Sequence, residues 1–287
     1  MKSPQSKKQA SPDDQSLSQT QSFIPDLFKG KKVLITGASR GIGRACALSF
    51  ARLGADLGLM AKRVEGLEDL KSDLLHISPD LFIVQEAVDV MQAEQLKVCV
   101  DSVKKSLGGI DILINNAGIY ITEEADGHSL ETWRKTMDTN LTSAMAACSV
   151  VLADMSAQGW GRIINISSMS GKVGEAYGSA YSASKFGLIG LTQSMALEVA
   201  SAGVTVNAVC PGWVATDMAF DQIQDKKWCG LNQIEPDESM DIARLSVPQQ
   251  RFIEPAEVAA LVTYLATDDA RGITGQAINI CGGLSVH

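Results

Sequence analysis

The sequence predicts an α/β fold: a single doubly wound domain with a parallel sheet of about seven strands and helices on both faces. Three observations carry this. From Lys32 onward, short and nearly uniform apolar runs alternate with longer amphipathic stretches. A glycine-rich turn follows the first apolar run at once and opens into a helical pattern. No internal repeat or second composition regime occurs after Lys29, and α/β chains of about this length commonly form one core.

Taken in order, the strand candidates are Lys32 to Thr36, Asp56 to Met60, Leu81 to Val84, Asp111 to Asn115, Arg162 to Ser167, Thr205 to Val209 and Ala277 to Ile280. Their uniform hydrophobicity is expected of strands covered on both faces. Helix-length segments between them include Arg44 to Leu53, Leu130 to Met155, Tyr181 to Ala200 and Pro255 to Ala266. Residues 1–27, rich in Ser, Gln and Lys, are expected to be a disordered tail, and 28–287 the folded domain. The stretch from about 216 to 251 is polar, partly acidic and contains Pro236 and Pro248. A long segment of weak periodicity inside a compact domain is expected to be a lid or binding loop.

Composition narrows the function classes. With 45% hydrophobic and 20% charged residues the chain reads as globular. A net charge of -8 disfavours a nucleic-acid footprint and an anionic membrane surface. No apolar run approaches the ~20 residues needed to span a bilayer. Met1 to Ser22 has no apolar signal-peptide core, and Asp13, Asp14 and the lack of Arg fit a transit peptide poorly. Six scattered cysteines read as reduced core residues, so the expected setting is cytoplasmic. The three histidines fall in no zinc motif, and no metal is expected.

The turn runs Thr36-Gly37-Ala38-Ser39-Arg40-Gly41-Ile42-Gly43. Glycines let the backbone approach a pyrophosphate, and the next helix presents free amides and a partial positive charge, so Gly37, Ser39, Arg40, Gly41, Ile42 and Gly43 are candidate cofactor ligands in a Rossmann-type arrangement. At the end of the second strand an Asp or Glu would hold the 2′-hydroxyl of NAD; here Ala61-Lys62-Arg63 stands there instead. Arg40, Lys62 and Arg63 would pair with a 2′-phosphate, which predicts NADP(H) over NAD(H). The other reading is that Lys62 and Arg63 are ordinary solvated charges.

Tyr181 and Lys185 stand one helical turn apart. Lowering a phenol from about 10 to about 7 takes on the order of 4 kcal/mol. An ammonium about 4 Å away supplies roughly that at an effective dielectric of 20. The pair can thus act as a general acid or base. Ser168 lies thirteen positions earlier, just past a strand, where its hydroxyl could bind a substrate oxygen. A serine hydrolase is disfavoured, because the G-x-S-x-G elbow is absent and no histidine sits in a catalytic context.

With these marks in the same order, the chain resembles the short-chain dehydrogenase/reductase family from Phe28 to Gly283. The matching motifs are Thr36-Gly37 through Gly43, Asp89, Asn115-Asn116-Ala117-Gly118, Asn140, Ser168, Tyr181 with Lys185, and Pro211-Gly212. The resemblance implies that Asp89 contacts adenine and that Asn115, with Asn116, Ala117 and Gly118 after it, lines the cofactor cleft and steadies the central strand. It also implies that Asn140 holds a water leading from Lys185 to solvent, and that Lys185 binds the nicotinamide ribose. Pro211, Gly212, Val214 and Thr216 would border the nicotinamide. Asn115 could instead only tie strands together, and Pro211-Gly212 could be a plain turn.

The closing stretch, with Val247-Pro248, Arg251, Pro255-Ala256-Glu257-Val258 and Cys281-Gly282-Gly283, is similar to the 3-oxoacyl reductase and polyketide ketoreductase branch. That implies reduction of a 3-oxoacyl thioester. Basic residues that dock acyl carrier protein in bacterial members are replaced here by Gly159 and Ala202. Trp213, Met218 and Phe220 form either an apolar substrate wall or lid residues packed on the core. The acidic stretch Asp221 to Glu238 does not favour a strongly anionic substrate. Three functions stay open: a ketoreductase, a catabolic secondary-alcohol or polyol dehydrogenase, and a non-catalytic dinucleotide binder. The resemblance further implies a homotetramer or homodimer pairing the helices near 140–155 and 181–200, with Ala144, Ala146, Ala147 and Gly190 allowing close approach.

Overall fold

The computed structural model describes residues 26–286, so the expected tail lies almost wholly outside the described residues. Seven strands form one sheet: β1 (Lys32–Thr36), β2 (Asp56–Ala61), β3 (Ile83–Ala87), β4 (Ile112–Asn115), β5 (Gly161–Ile166), β6 (Val204–Pro211) and β7 (Ala277–Ile280). Their order is β3-β2-β1-β4-β5-β6-β7 and every pairing is parallel. The chain winds outward from β1 to β3, then returns to the other side of β1 with β4. This reversal opens a crevice at the carboxyl ends of β1 and β4, where ligands bind in open α/β sheets.

Both faces are covered. Against one pack α1 (Gly41–Arg52), α2 (Glu65–Ile77) and α10 (Pro255–Leu265), burying Leu48, Phe50, Leu70 and Val262. Against the other pack α3 (Ala93–Leu107), α5 (Ser143–Gln158) and α6 (Ser179–Val199), burying Val100, Val103, Val151 and Val199. Helix α10 starts where the sequence is built for it: Pro255 occupies the first turn, and Glu254 and Glu257 form a reciprocal capping box.

Three expectations are corrected. The helical run from Leu130 to Met155 is not continuous. It divides into α4 (Leu130–Met137), a widened π turn (Asp138–Thr142) and α5. Hydroxyl side chains compete for backbone carbonyls there: Thr139 donates to the Lys135 carbonyl (2.8 Å) and Ser143 to that of Thr139 (2.6 Å).

The region 216–251 is not an unstructured loop. It holds α7 (Asp217–Ile223), α8 (Lys226–Asn232) and α9 (Ser239–Ser246). Thr216 caps α7 and Asp225 caps α8 through their side chains, while Ile223, Trp228, Cys229 and Ala243 supply buried anchors too sparse to give a clear period. Strand β3 lies further along the chain than the apolar run Leu81 to Val84, because it is an edge strand whose register is set by β2, Leu57 facing Ile83 and Ala61 facing Ala87.

Among the described residues no helix is long and apolar enough to cross a membrane, and no group of three or more His, Cys, Asp or Glu could hold a metal ion. All six cysteines are free, and burial pushes the Cys46 and Cys148 thiols up to about 12, so both are chemically quiet.

Candidate active site

The turn after β1 is held in a shape that glycine alone tolerates. Gly37 and Gly41 have φ of +66° and +55°. A Cβ on Gly43 would lie 2.3 Å from the Gly37 carbonyl oxygen, so the first turn of α1 packs directly on the loop it closes. The side-chain amide of Asn116 donates to the carbonyls of Thr36 (3.1 Å) and Gly37 (2.9 Å), fastening the turn to the end of β4.

A cavity of about 1300 Å³ runs along the carboxyl edge from this turn. Gly37, Ser39, Arg40, Gly41 and Ile42 line one end, with Lys62, Arg63 and Asp89 beyond the tips of β2 and β3. Ala117 and Gly118 line its centre, and Pro211, Gly212, Val214 and Thr216 the wall after β6. Ser168, Tyr181 and Lys185 border the far end, beside Trp213 and Met218. The volume is ample for a dinucleotide with a small substrate, and free amides at the start of α1 suit its pyrophosphate.

Four anticipated residues stand elsewhere. Gly43 is a packing glycine outside the cavity. Asn115 turns into the sheet, donating to Asn165 (2.8 Å) and the Cys148 sulfur (3.4 Å), while the cleft wall begins with Asn116. Phe220 packs edge-on against Phe252 at 5.6 Å, so of the aromatic wall only Trp213 with Met218 faces the cavity. Asn140 is 1% exposed. It accepts from the Ile119 amide (2.8 Å) and donates to the Ile119 carbonyl and Ser184 Oγ (both 3.0 Å). It thereby positions the loop after β4 against α6, and its side chain does not border the cavity.

The basic rim is partly occupied by acids. Lys62 pairs with Asp89 at 2.8 Å and holds that carboxyl below the usual carboxylate range. Arg40 lies 3.4 Å from Asp217, with both side chains mostly exposed, a geometry that contributes little by itself.

At the catalytic end, Ser168 is extended and opens a short 3-10 turn, its Oγ accepting from the Ser170 amide (3.0 Å). Lys185 is 3% exposed, donates to the Ile166 carbonyl (2.7 Å) and stands 5.6 Å from the centre of the Tyr181 ring. In the protein, burial opposes the pull of Lys185 on the phenol. Desolvation pushes Tyr181 up to about 12, against a lowering hydrogen bond from Ser168. The same desolvation brings Lys185 down to about 8. At neutral pH the free protein thus holds a protonated phenol beside an ammonium that is ready to give up a proton.

Sequence reasoning missed Lys135, Glu175 and Gln222, all of which line the cavity. Asn116, which follows Asn115 in the motif, does line the cleft as the resemblance implied, because side-chain direction alternates between neighbours and Asn115 already points into the sheet. Glu175 lies in the segment joining Ser168 to Tyr181, which must cross the mouth of the site.

The short chain dehydrogenase family model matches residues 31–227. The chain belongs to the short-chain dehydrogenase family. A granaticin polyketide synthase putative ketoacyl reductase of Streptomyces violaceoruber is 42% identical, the match covering 88% of this chain and 92% of that one. A D-beta-hydroxybutyrate dehydrogenase of Rhizobium meliloti is 36% identical over 88% of this chain and 98% of its own. Among solved structures, a substituted actinorhodin polyketide ketoreductase with NADPH superposes with a TM-score of 0.85 at 35% identity, covering 90% of this chain and 98% of that one. As a short-chain dehydrogenase of this kind, the protein is an NAD(P)-dependent oxidoreductase.

Proposed function

We propose that this short-chain dehydrogenase reduces a ketone to a secondary alcohol with NADPH, the ketone being a 3-oxoacyl thioester. The observation that carries the reading is the convergence of Ser168, Tyr181 and Lys185 on one end of a cavity whose other end is a glycine turn rimmed by Arg40, Lys62 and Arg63. The nicotinamide, when bound, supplies the hydride. Ser168 donates to the substrate oxygen and steadies its growing negative charge. Tyr181 gives that oxygen its proton, and Lys185 stabilises the phenolate left behind. Burial holds the phenol protonated to about 12, so it carries the proton that the reductive step needs; the hydroxybutyrate dehydrogenase relative is named for the reverse direction.

Cofactor choice rests on Ala61 standing at the end of β2, where NAD binders place a carboxylate, and on Arg40, Lys62 and Arg63 lining that end of the cavity. NADPH also occurs with the actinorhodin ketoreductase neighbour. We also place the protein in the cytoplasm as a homotetramer or homodimer. Ala144, Ala146 and Ala147 are buried within the subunit and cannot form that contact. The faces of α5 and α6 that remain for it carry Met145, Phe186, Leu197 and the open Gly190.

The test is a panel of 3-oxoacyl thioesters, cyclic ketones and sugars assayed with each cofactor. The thioesters are expected to turn over fastest, with NADPH. Faster turnover with NADH, or with a sugar alcohol in the oxidative direction, would overturn the reading.

A further inference from the structure

One polar group in the cavity has no part in the proton transfer. Glu175 lines the catalytic end, on the segment between the 3-10 turn (Met169–Gly171) and α6. Its Oε1 accepts from the Tyr120 hydroxyl (3.0 Å) and the Gln222 amide (2.8 Å), and its Oε2 from the Ser170 hydroxyl (2.7 Å). All three partners are neutral hydroxyl and amide groups, so none of them brings a positive charge to this carboxyl group.

The position is fixed from two sides. The Glu175 amide donates to Ser182 Oγ (3.2 Å) at the start of α6, and Gln222 reaches in from α7. One residue separates Glu175 from each catalytic hydroxyl. Ser170, which donates to Glu175, also bonds Ser168 Oγ through its amide (3.0 Å). Tyr120 stands edge-on to the Tyr181 ring, with centroids 5.1 Å apart. A substrate carbonyl poised between Ser168 and Tyr181 therefore has this carboxylate as a near neighbour.

We propose that Glu175 sets the charge selectivity of the pocket: it rejects ketones that carry an anionic group next to the reacting carbonyl and admits their neutral esters and thioesters. The inference rests on the ketone-reducing reading and narrows its substrate. A free 3-oxo acid would set its carboxylate beside Glu175 in a partly desolvated cavity, where like charges are poorly screened. The corresponding thioester brings no charge to that place. Catalysis and admission are thus divided between Ser168 with Tyr181 on one side and Glu175 on the other.

The experiment compares acetoacetate with the N-acetylcysteamine thioester of acetoacetate, in the wild type and in Glu175→Gln and Glu175→Ala. The ratio of the two kcat/KM values is the readout. The wild type is expected to favour the thioester, and both variants to shrink that preference by roughly tenfold or more, acting through KM for the acid. An unchanged ratio in both variants, or a wild type that prefers the free acid, would overturn the proposal.

Binding gives a second readout that needs no turnover. Butyrate and its N-acetylcysteamine thioester are titrated against the quench of Trp213 and Trp228, which line the cavity. If no ketone turns over but the variants gain affinity for butyrate alone, the catalytic reading fails and the charge filter stands. If butyrate affinity does not move, the filter fails whatever the enzyme reduces.

Discussion

Strand β5 has a buried cation at each end, and the two are treated in opposite ways. At its amino end Arg162, 2% exposed, donates to the carbonyls of Thr267 (3.3 Å), Gly161 (2.9 Å) and Gly203 (3.3 Å) and to Asp268 (3.1 Å). The Trp160 ring lies against the guanidinium at 4.3 Å. At the carboxyl end Lys185 is as deeply buried, yet its ammonium makes a single hydrogen bond among the described residues, to Ile166. An ammonium has three donors. Burial tolerates a charge when its hydrogen bonds are filled and leaves it reactive when they are not. Arg162 therefore belongs to the architecture, and the spare donors of Lys185 belong to the chemistry.

The comparison is broken most severely by Tyr181→Phe, which removes the proton that Lys185 serves. It is expected to lower kcat on the order of 10³-fold while leaving the thermal midpoint in place, as read by NADPH consumption and calorimetry. Activity within tenfold of wild type would remove Tyr181 from the mechanism.

Next in size is Arg162→Met. Removing a guanidinium that makes four hydrogen bonds strands three carbonyls, and urea denaturation should show a loss of about 3 kcal/mol. The folded fraction should keep its kcat, and a catalytic defect at unchanged stability would erase the distinction between the two ends.

The mildest test is pH. Burial brings Lys185 down to about 8 while Tyr181 stays protonated to about 12. Raising pH through about 8 discharges the ammonium before the phenol. The kcat/KM for reduction is then expected to fall about tenfold per unit above that point, as loss of one proton requires. Lys185→Arg, which cannot lose its charge in this range, should carry the fall to higher pH. A profile flat to pH 10 in the wild type would show that Lys185 is not needed as a cation.

The same two ends explain what the sequence discloses. The run Lys32 to Thr36 is legible because a strand covered on both faces is apolar through its centre, and its limits coincide with β1; the half-buried edge strand β7 matches its short run Ala277 to Ile280 as well. The glycine turn and the Tyr181–Lys185 pair are legible because their geometry is local. What stays hidden depends on distant partners. Nothing near Asn115 in sequence says that Asn165 takes its amide, and nothing near Phe220 says that Phe252 does the same for its ring. Glu175 reads as an ordinary loop acid until Tyr120 and Gln222 arrive from other parts of the chain. The π turn at Asp138–Thr142 stays hidden because its buried residues, Thr139 and Asn140, are polar and take partners that the local spacing does not show.

The fastening of the glycine turn by Asn116 has a thermodynamic consequence. Because a side chain from the end of β4 holds the Thr36 and Gly37 carbonyls, the turn is fastened in place without a nucleotide. Association then does not have to order this turn, which therefore adds no folding contribution to the heat-capacity change of binding. Dissociation likewise requires no local melting, and the spent nucleotide can leave a cradle already set for the next one.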